Sequence, residues 1–214
     1  MVEVEVVGQK KRKIRSDKKR DIKPTILKEL KVCIEQLSYI TNTPVKDIVS
    51  TICENGLKSR VVIEYLSPYF RRDYQFTNTF FLGDLDRESL QRKYQDGEKS
   101  RITTRVTQEV YEKIKQLSDA LDVTPSKATA LLLDASIRNT NILNAYVKAY
   151  LKENVDNGRI KELKLVLKYI NKNNPYNESI SWFTLLTIIF DEIKGSTENV
   201  KQTINNWLDK YNKT

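Results

Sequence analysis

The sequence predicts a mainly α protein with one short two-stranded antiparallel β-ribbon and a C-terminal helical bundle, and three observations predict it. The alternating run "RITTRV" at 101–106 is followed by two segments of helical periodicity. Residues 21–57 repeat the same order of strand, helix, Thr-Pro turn and helix. From about residue 140 onward the apolar spacing and the stop signals are those of helices.

In the run at 101–106, Arg101, Thr103 and Arg105 fall on one face, and Ile102, Thr104 and Val106 fall on the other. Thr107 is placed to cap a helix whose apolar stripe is Val110, Ile114, Leu117, Ala120 and Leu121. "DVTPSK" ends that helix. Thr124 can cap a second helix with Pro125 at its first position and an apolar face of Ala128, Leu131, Leu132, Ala135 and Ile137.

The earlier stretch aligns at a constant offset of 80 residues: Ile22 with Ile102, Ile26 with Val106, Glu29 with Glu109, Ile34 with Ile114, and "QLS" at 36–38 with "QLS" at 116–118. One extra residue in the second loop then brings Thr43, Pro44 and Lys46 into line with Thr124, Pro125 and Lys127, so both second helices are expected to start with the same cap, proline and lysine. An isolated strand leaves its backbone groups unpaired, and a two-stranded ribbon needs helices packed on one side. A strand at 21–26 can pair with the strand at 101–106, with Ile22, Ile26, Ile102 and Val106 turned inward. Pairing within one chain and pairing between subunits both satisfy this requirement. Pro24 lacks a backbone donor and is expected on the open side of the ribbon.

The chain divides into a basic arm at 1–20, a first unit at 21–58, an aromatic-rich connector at 59–98, a second unit at 99–139 and a helical region at 140–214. "KKRKIRSDKKR" at 10–20 is too charged to bury and reads as an arm, or as a solubilising tail. The connector begins as a helical continuation broken at Pro68 and Gly83. Its Tyr65, Tyr69, Phe70, Tyr74, Phe76, Phe80 and Phe81 are expected to pack on the helices, with Arg71 and Arg72 available for a second nucleic-acid contact. "GDLDRES" reads as a turn followed by the charge pattern of a helix start. Helices are expected at about 140–155, 159–172, 179–194 and 197–211, and "WFTLLTIIF" at 182–190 is either the centre of a small bundle or an oligomerisation surface.

Composition narrows the chemistry. Lys and Arg outnumber Asp and Glu by 37 to 28, and the formal net charge of +9 favours a polyanionic partner. The 214 residues contain no histidine, which excludes a Ser/His/Asp or Cys/His nucleophile and any histidine metal site. None of the six glycines stands in a phosphate-cradling pattern. Cys33 and Cys53 fall at apolar helical positions and read as buried thiols. No apolar run approaches the length of a membrane span, and the N-terminus lacks a signal-peptide pattern, so a cytoplasmic protein without membrane contact is expected. No catalytic residue, metal or cofactor is assigned.

"RITTRVTQEVYEKI" followed by "TPSKATALLLDASI" resembles the ribbon-helix-helix family of DNA-binding proteins, and residues 21–57 are similar to a second, more divergent copy. The layout resembles archaeal-virus transcription regulators with two such units. The resemblance implies a ribbon that enters the major groove of double-stranded DNA, with Arg101, Thr103 and Arg105 of one copy, and Lys23 and Thr25 of the other with Asp21 at the edge, reading base edges. It also implies phosphate contacts at the start of each second helix, at Thr124, Ser126 and Lys127 and at Thr43 and Lys46. The arm residues Lys11, Arg12, Lys13 and Arg15 would add further phosphate contacts. The expected function is sequence-specific transcription regulation by a pseudo-dimer of the two repeats, with further homo-oligomerisation. The alternatives are a plasmid accessory or partition protein and a non-catalytic dimerising adaptor for a protein partner.

Overall fold

The computed structural model describes residues 19–93, 96–139, 141–143, 145–146, 157–172 and 174–176. In chain order the elements are β1 (Arg20–Ile22), β2 (Thr25–Leu27), α1 (Lys28–Thr41), α2 (Val45–Lys58), α3 (Arg60–Leu66), β3 (Tyr74–Phe76), β4 (Thr79–Phe81), β5 (Lys99–Arg101), β6 (Thr104–Val106), α4 (Gln108–Leu121), α5 (Pro125–Ile137) and α6 (Asn157–Asn171). The fold is mainly helical, with short two-stranded antiparallel sheets and two repeated strand-helix-helix units.

The two units pair with each other. β1 runs antiparallel to β6, with Asp21 opposite Arg105, and β2 runs antiparallel to β5, with Thr25 opposite Arg101. Register is the same on both sides of the break, so the two ladders are halves of one ribbon, with Lys23 opposite Thr103 and Pro24 opposite Ile102. The break has a chemical cause. The Ile102 N–H donates to the Pro24 carbonyl at 3.1 Å, which makes this a pair that would exchange two hydrogen bonds. Proline has no N–H for the return bond. Pro24 therefore does not lie on the open side of the ribbon, as expected from sequence; it occupies a ladder position, is buried, and leaves the ribbon one bond short at its centre.

Alternation along both strands is strict. Ile22, Pro24, Ile26, Ile102, Thr104 and Val106 are buried, and the residues between them are exposed. Beneath this inner face α2 packs on α5, α4 packs on α5, and α1 packs on α6. Ile34, Leu37, Ile48, Ile52, Ile114, Leu117, Leu121 and Leu132 are fully buried in one continuous core. Leu131 is only partly buried and Leu133 is buried instead, because α5 is covered on several sides and its apolar surface is not a single stripe.

The repeat extends to the turns. Asn42 and Asp122 both end their helices in the left-handed region, at φ 50° and 55°. The next residue's N–H closes the same reverse turn in each copy, from Thr43 to Ser38 O at 3.2 Å and from Val123 to Ser118 O at 3.0 Å. The first loop, one residue shorter, thus places Thr43 where the second copy has Val123. The expected common cap is consequently absent from the first copy: Pro44 is the N-cap of α2, and the Thr43 hydroxyl donates to Thr41 O at 3.1 Å. Thr107 and Thr124 do cap α4 and α5, accepting from Val110 N and Lys127 N, each at 3.3 Å.

The connector differs from its sequence reading. After α3 and a 3-10 turn at Ser67–Tyr69 it forms the β3–β4 hairpin, with Tyr74 opposite Phe81, which periodicity did not indicate. Residues 84–93 form turns and bends in place of the expected helix start, and Asp84 Oδ1 accepts from the Asp86 N–H at 2.9 Å. Phe70 and Tyr74 are buried, Tyr65, Phe76 and Phe81 partly so, and Tyr69 and Phe80 are exposed. Gly83 passes so close to the chain at Arg72 that an added Cβ would lie 2.2 Å from Arg72 C.

Beyond the second unit, 141–143, 145–146 and α6 are helical. Arg138 ties α6 to the end of α5: it donates to Asp134 Oδ1 at 3.1 Å, to the Tyr169 hydroxyl at 3.1 Å and to Lys172 O at 2.8 Å, and stacks on the Tyr169 ring at 4.8 Å. The helices expected at 179–194 and 197–211 lie outside the described residues. Among the described residues no helix is long and apolar enough to cross a membrane.

Candidate nucleic-acid interface

The residues singled out on the ribbon converge on one surface. Asp21, Lys23, Thr25, Arg101, Thr103 and Arg105 are all exposed on its outer face, because the period of two that buries the isoleucines must expose their neighbours. Lys23 and Thr103, equivalent in the two copies, face each other at the pseudo-twofold centre. The ends are not equivalent. At one end Arg105 Nε donates to Asp21 Oδ1 at 2.7 Å. At the other, Arg101 lies opposite the uncharged Thr25 and donates through Nε to Lys23 O at 3.4 Å. The face thus carries three cations and one carboxylate.

The inner face fixes where this surface sits. The Thr104 hydroxyl, fully buried, donates to Lys46 O at 2.7 Å in the first turn of α2. This bond joins the ribbon strand of the second copy to the second helix of the first. Arg20, expected to end the arm, instead opens β1; its Nε donates to Gln108 Oε1 at 2.8 Å and its guanidinium lies 5.6 Å from the Tyr111 ring.

The two helix starts expected to meet phosphates have different surroundings. At α5 the connector crosses the turn. The Thr124 N–H donates to Gln91 Oε1 at 2.9 Å, and Lys127 Nζ donates to Lys93 O at 2.6 Å. Partial burial, with Lys99 nearby, lowers the Lys127 pKa below the usual lysine range. Ser126 beside it is partly buried. At α2, Lys46 is exposed and Thr43 partly exposed. Lys11, Arg12, Lys13 and Arg15 lie outside the described residues.

Arg71 and Arg72, weighed as a second nucleic-acid contact, are occupied internally. Both of their backbone N–H groups donate to Ala120 O, at 2.8 and 3.0 Å, and both side chains pair with Asp122, at 3.3 and 2.6 Å. They anchor the connector on the C-terminal end of α4, where cations oppose the negative end of the helix dipole. Gln91, Lys93 and Thr104 carried no sequence signal of these roles, since each acts through a bond to a distant segment.

No protein-family model, no curated protein and no solved structure matches the chain. The surface chemistry therefore rests on the residues themselves. An exposed arginine presents a planar fork that matches guanine O6 and N7, and threonine can hydrogen-bond or touch a thymine methyl. Away from this surface, burial pushes the Cys33 and Cys53 thiols up to about 12, so both are neutral and unreactive at physiological pH.

Proposed function

We propose that the protein is a sequence-specific, double-stranded DNA-binding transcription regulator of the tandem ribbon-helix-helix type, which lays its β-ribbon in the major groove. One observation supports this reading above the others. All six outer-face side chains of the ribbon are polar or charged and exposed, while every residue between them is buried. A sheet packed from below along its whole inner face, with long donors on its open side, has the dimensions and chemistry of a two-stranded major-groove reader. Specificity would come from Arg101, Thr103, Arg105, Lys23 and Thr25, and phosphate anchoring from Lys46, the start of α5 and the basic arm. Since the two ribbon strands differ in sequence, the expected operator is asymmetric.

The test is selection from a random duplex pool at near-physiological salt, run in parallel with wild type and a variant carrying Arg101→Ala, Thr103→Ala and Arg105→Ala. A defined motif enriched by wild type alone supports the reading. Enrichment of no motif, or of the same motif by both proteins, refutes it and favours an adaptor that binds a protein partner.

A further inference from the structure

We infer that Asp21 is a specificity-determining residue, which orients the Arg105 guanidinium so that one end of the ribbon specifies guanine more stringently than the other. The inference deepens, and rests on, the DNA-reading proposal above. It starts from an inequality between the two ends of the ribbon. Arg105 and Arg101 occupy exposed outer-face positions two residues on either side of the centre, but only Arg105 has a carboxylate opposite it.

The atoms engaged decide what the pair can do. Arg105 uses Nε toward Asp21 Oδ1, at 2.7 Å, a bond that does not engage the end-on N–H groups of its two Nη atoms. Those groups form the end-on fork that guanine O6 and N7 accept. A guanidinium held through Nε loses rotamer freedom before it meets the base, so less ordering is required at docking. The pair is half-exposed in the free protein and contributes little to stability there. Between protein and DNA it would be shielded from solvent, where an ion pair holds its geometry more strongly.

Asp21 also penalises misplacement. Its carboxylate faces the same groove as the three cations, and a negative charge beside the phosphates weakens binding wherever Arg105 does not hold it. Removing that charge should therefore raise affinity for arbitrary DNA while weakening discrimination at one base position. At the other end Thr25 carries no charge and Arg101 is held only by the longer, uncharged 3.4 Å bond from its Nε to Lys23 O, so the base read there is specified more loosely.

The experiment runs wild type, Asp21→Asn and Arg105→Lys through the same duplex selection, with affinities then measured on the selected site and on unrelated DNA. Asp21→Asn should keep the motif except at one position on one side, where the preference for guanine falls by about tenfold or more, and should bind unrelated DNA more tightly. Arg105→Lys, which keeps the charge and loses the fork, should lose preference at that same position. A wild-type motif that Asp21→Asn reproduces at full strength, or losses at different positions in the two variants, would overturn the inference. Failure of wild type to enrich any motif would remove the DNA reading itself, and this inference with it.

Discussion

Gly56 of α2 and Ser136 of α5 leave no room for a side chain where the two repeats meet: a Cβ built on Gly56 would stand 1.9 Å from Ser136 Oγ. Gly56→Ala, which on an exposed helix would be favourable by about 1 kcal/mol, should here destabilise the protein by about 2 kcal/mol. Pairing it with Ser136→Ala should recover part of that loss. Urea unfolding of the two single variants and the double variant checks this, and additive effects would show that the residues do not collide.

Thr104 is the one buried hydroxyl of the ribbon's inner face, and its bond to Lys46 O spans the two copies. Thr104→Val keeps the shape and removes the donor. The expected cost is about 1–2 kcal/mol, read as a lower urea midpoint with an unchanged slope. A midpoint equal to that of wild type would mean the bond adds nothing to holding the ribbon on α2.

The buried thiols make stability fall in alkali. Cys33 and Cys53 titrate near 12 when folded and near 9 when exposed, so their contribution is complete below pH 9 and is lost as pH rises toward 12. Each thiol should remove up to about 1.4 kcal/mol per pH unit in that window. Denaturation midpoints between pH 7 and pH 10.5, for wild type and for Cys53→Ala, should show the shallower decline in the variant.

DNA affinity should respond unequally to the two lysines at the helix starts. Lys46 is exposed, whereas Lys127 already donates to Lys93 O. Lys46→Ala should reduce the log-log salt slope of binding by about 0.9, and Lys127→Ala by less. Equal reductions would mean that the connector releases the α5 turn when DNA docks. Removing residues 1–18 should flatten the slope by about 0.9 for every phosphate that the arm neutralises, and an unchanged slope would take the arm out of binding.

Much of this architecture is set by local pattern. The alternation of Ile102, Thr104 and Val106 with Arg101, Thr103 and Arg105 requires a strand with one apolar and one polar face, whatever it pairs with. The stripe from Val110 to Leu121, the threonine caps at Thr107 and Thr124, and the offset of 80 between the copies are likewise properties of neighbouring residues. The β3–β4 hairpin is not legible in the sequence, because "YQFTNTFF" lacks a glycine at its turn and Thr77 supplies the positive φ instead, at 49°. The start of α2 departs from its sequence reading for a related reason: one residue fewer in the loop converts Thr43 from a cap into the closing residue of the preceding helix's turn.

The amino-acid sequence by itself therefore determined that there are two strand-helix-helix units, which faces of them are polar, and which side chains a ribbon would present. Only the tertiary structure decided that the two strands meet in the same chain, that Pro24 interrupts their ladder, that Asp21 meets Arg105 and that the connector crosses the turn before α5. Periodicity and capping depend on residues within a helical turn or a strand pair of each other. The other relationships join groups between 33 and 86 residues apart, and their partners are chosen by how the apolar faces close over one another.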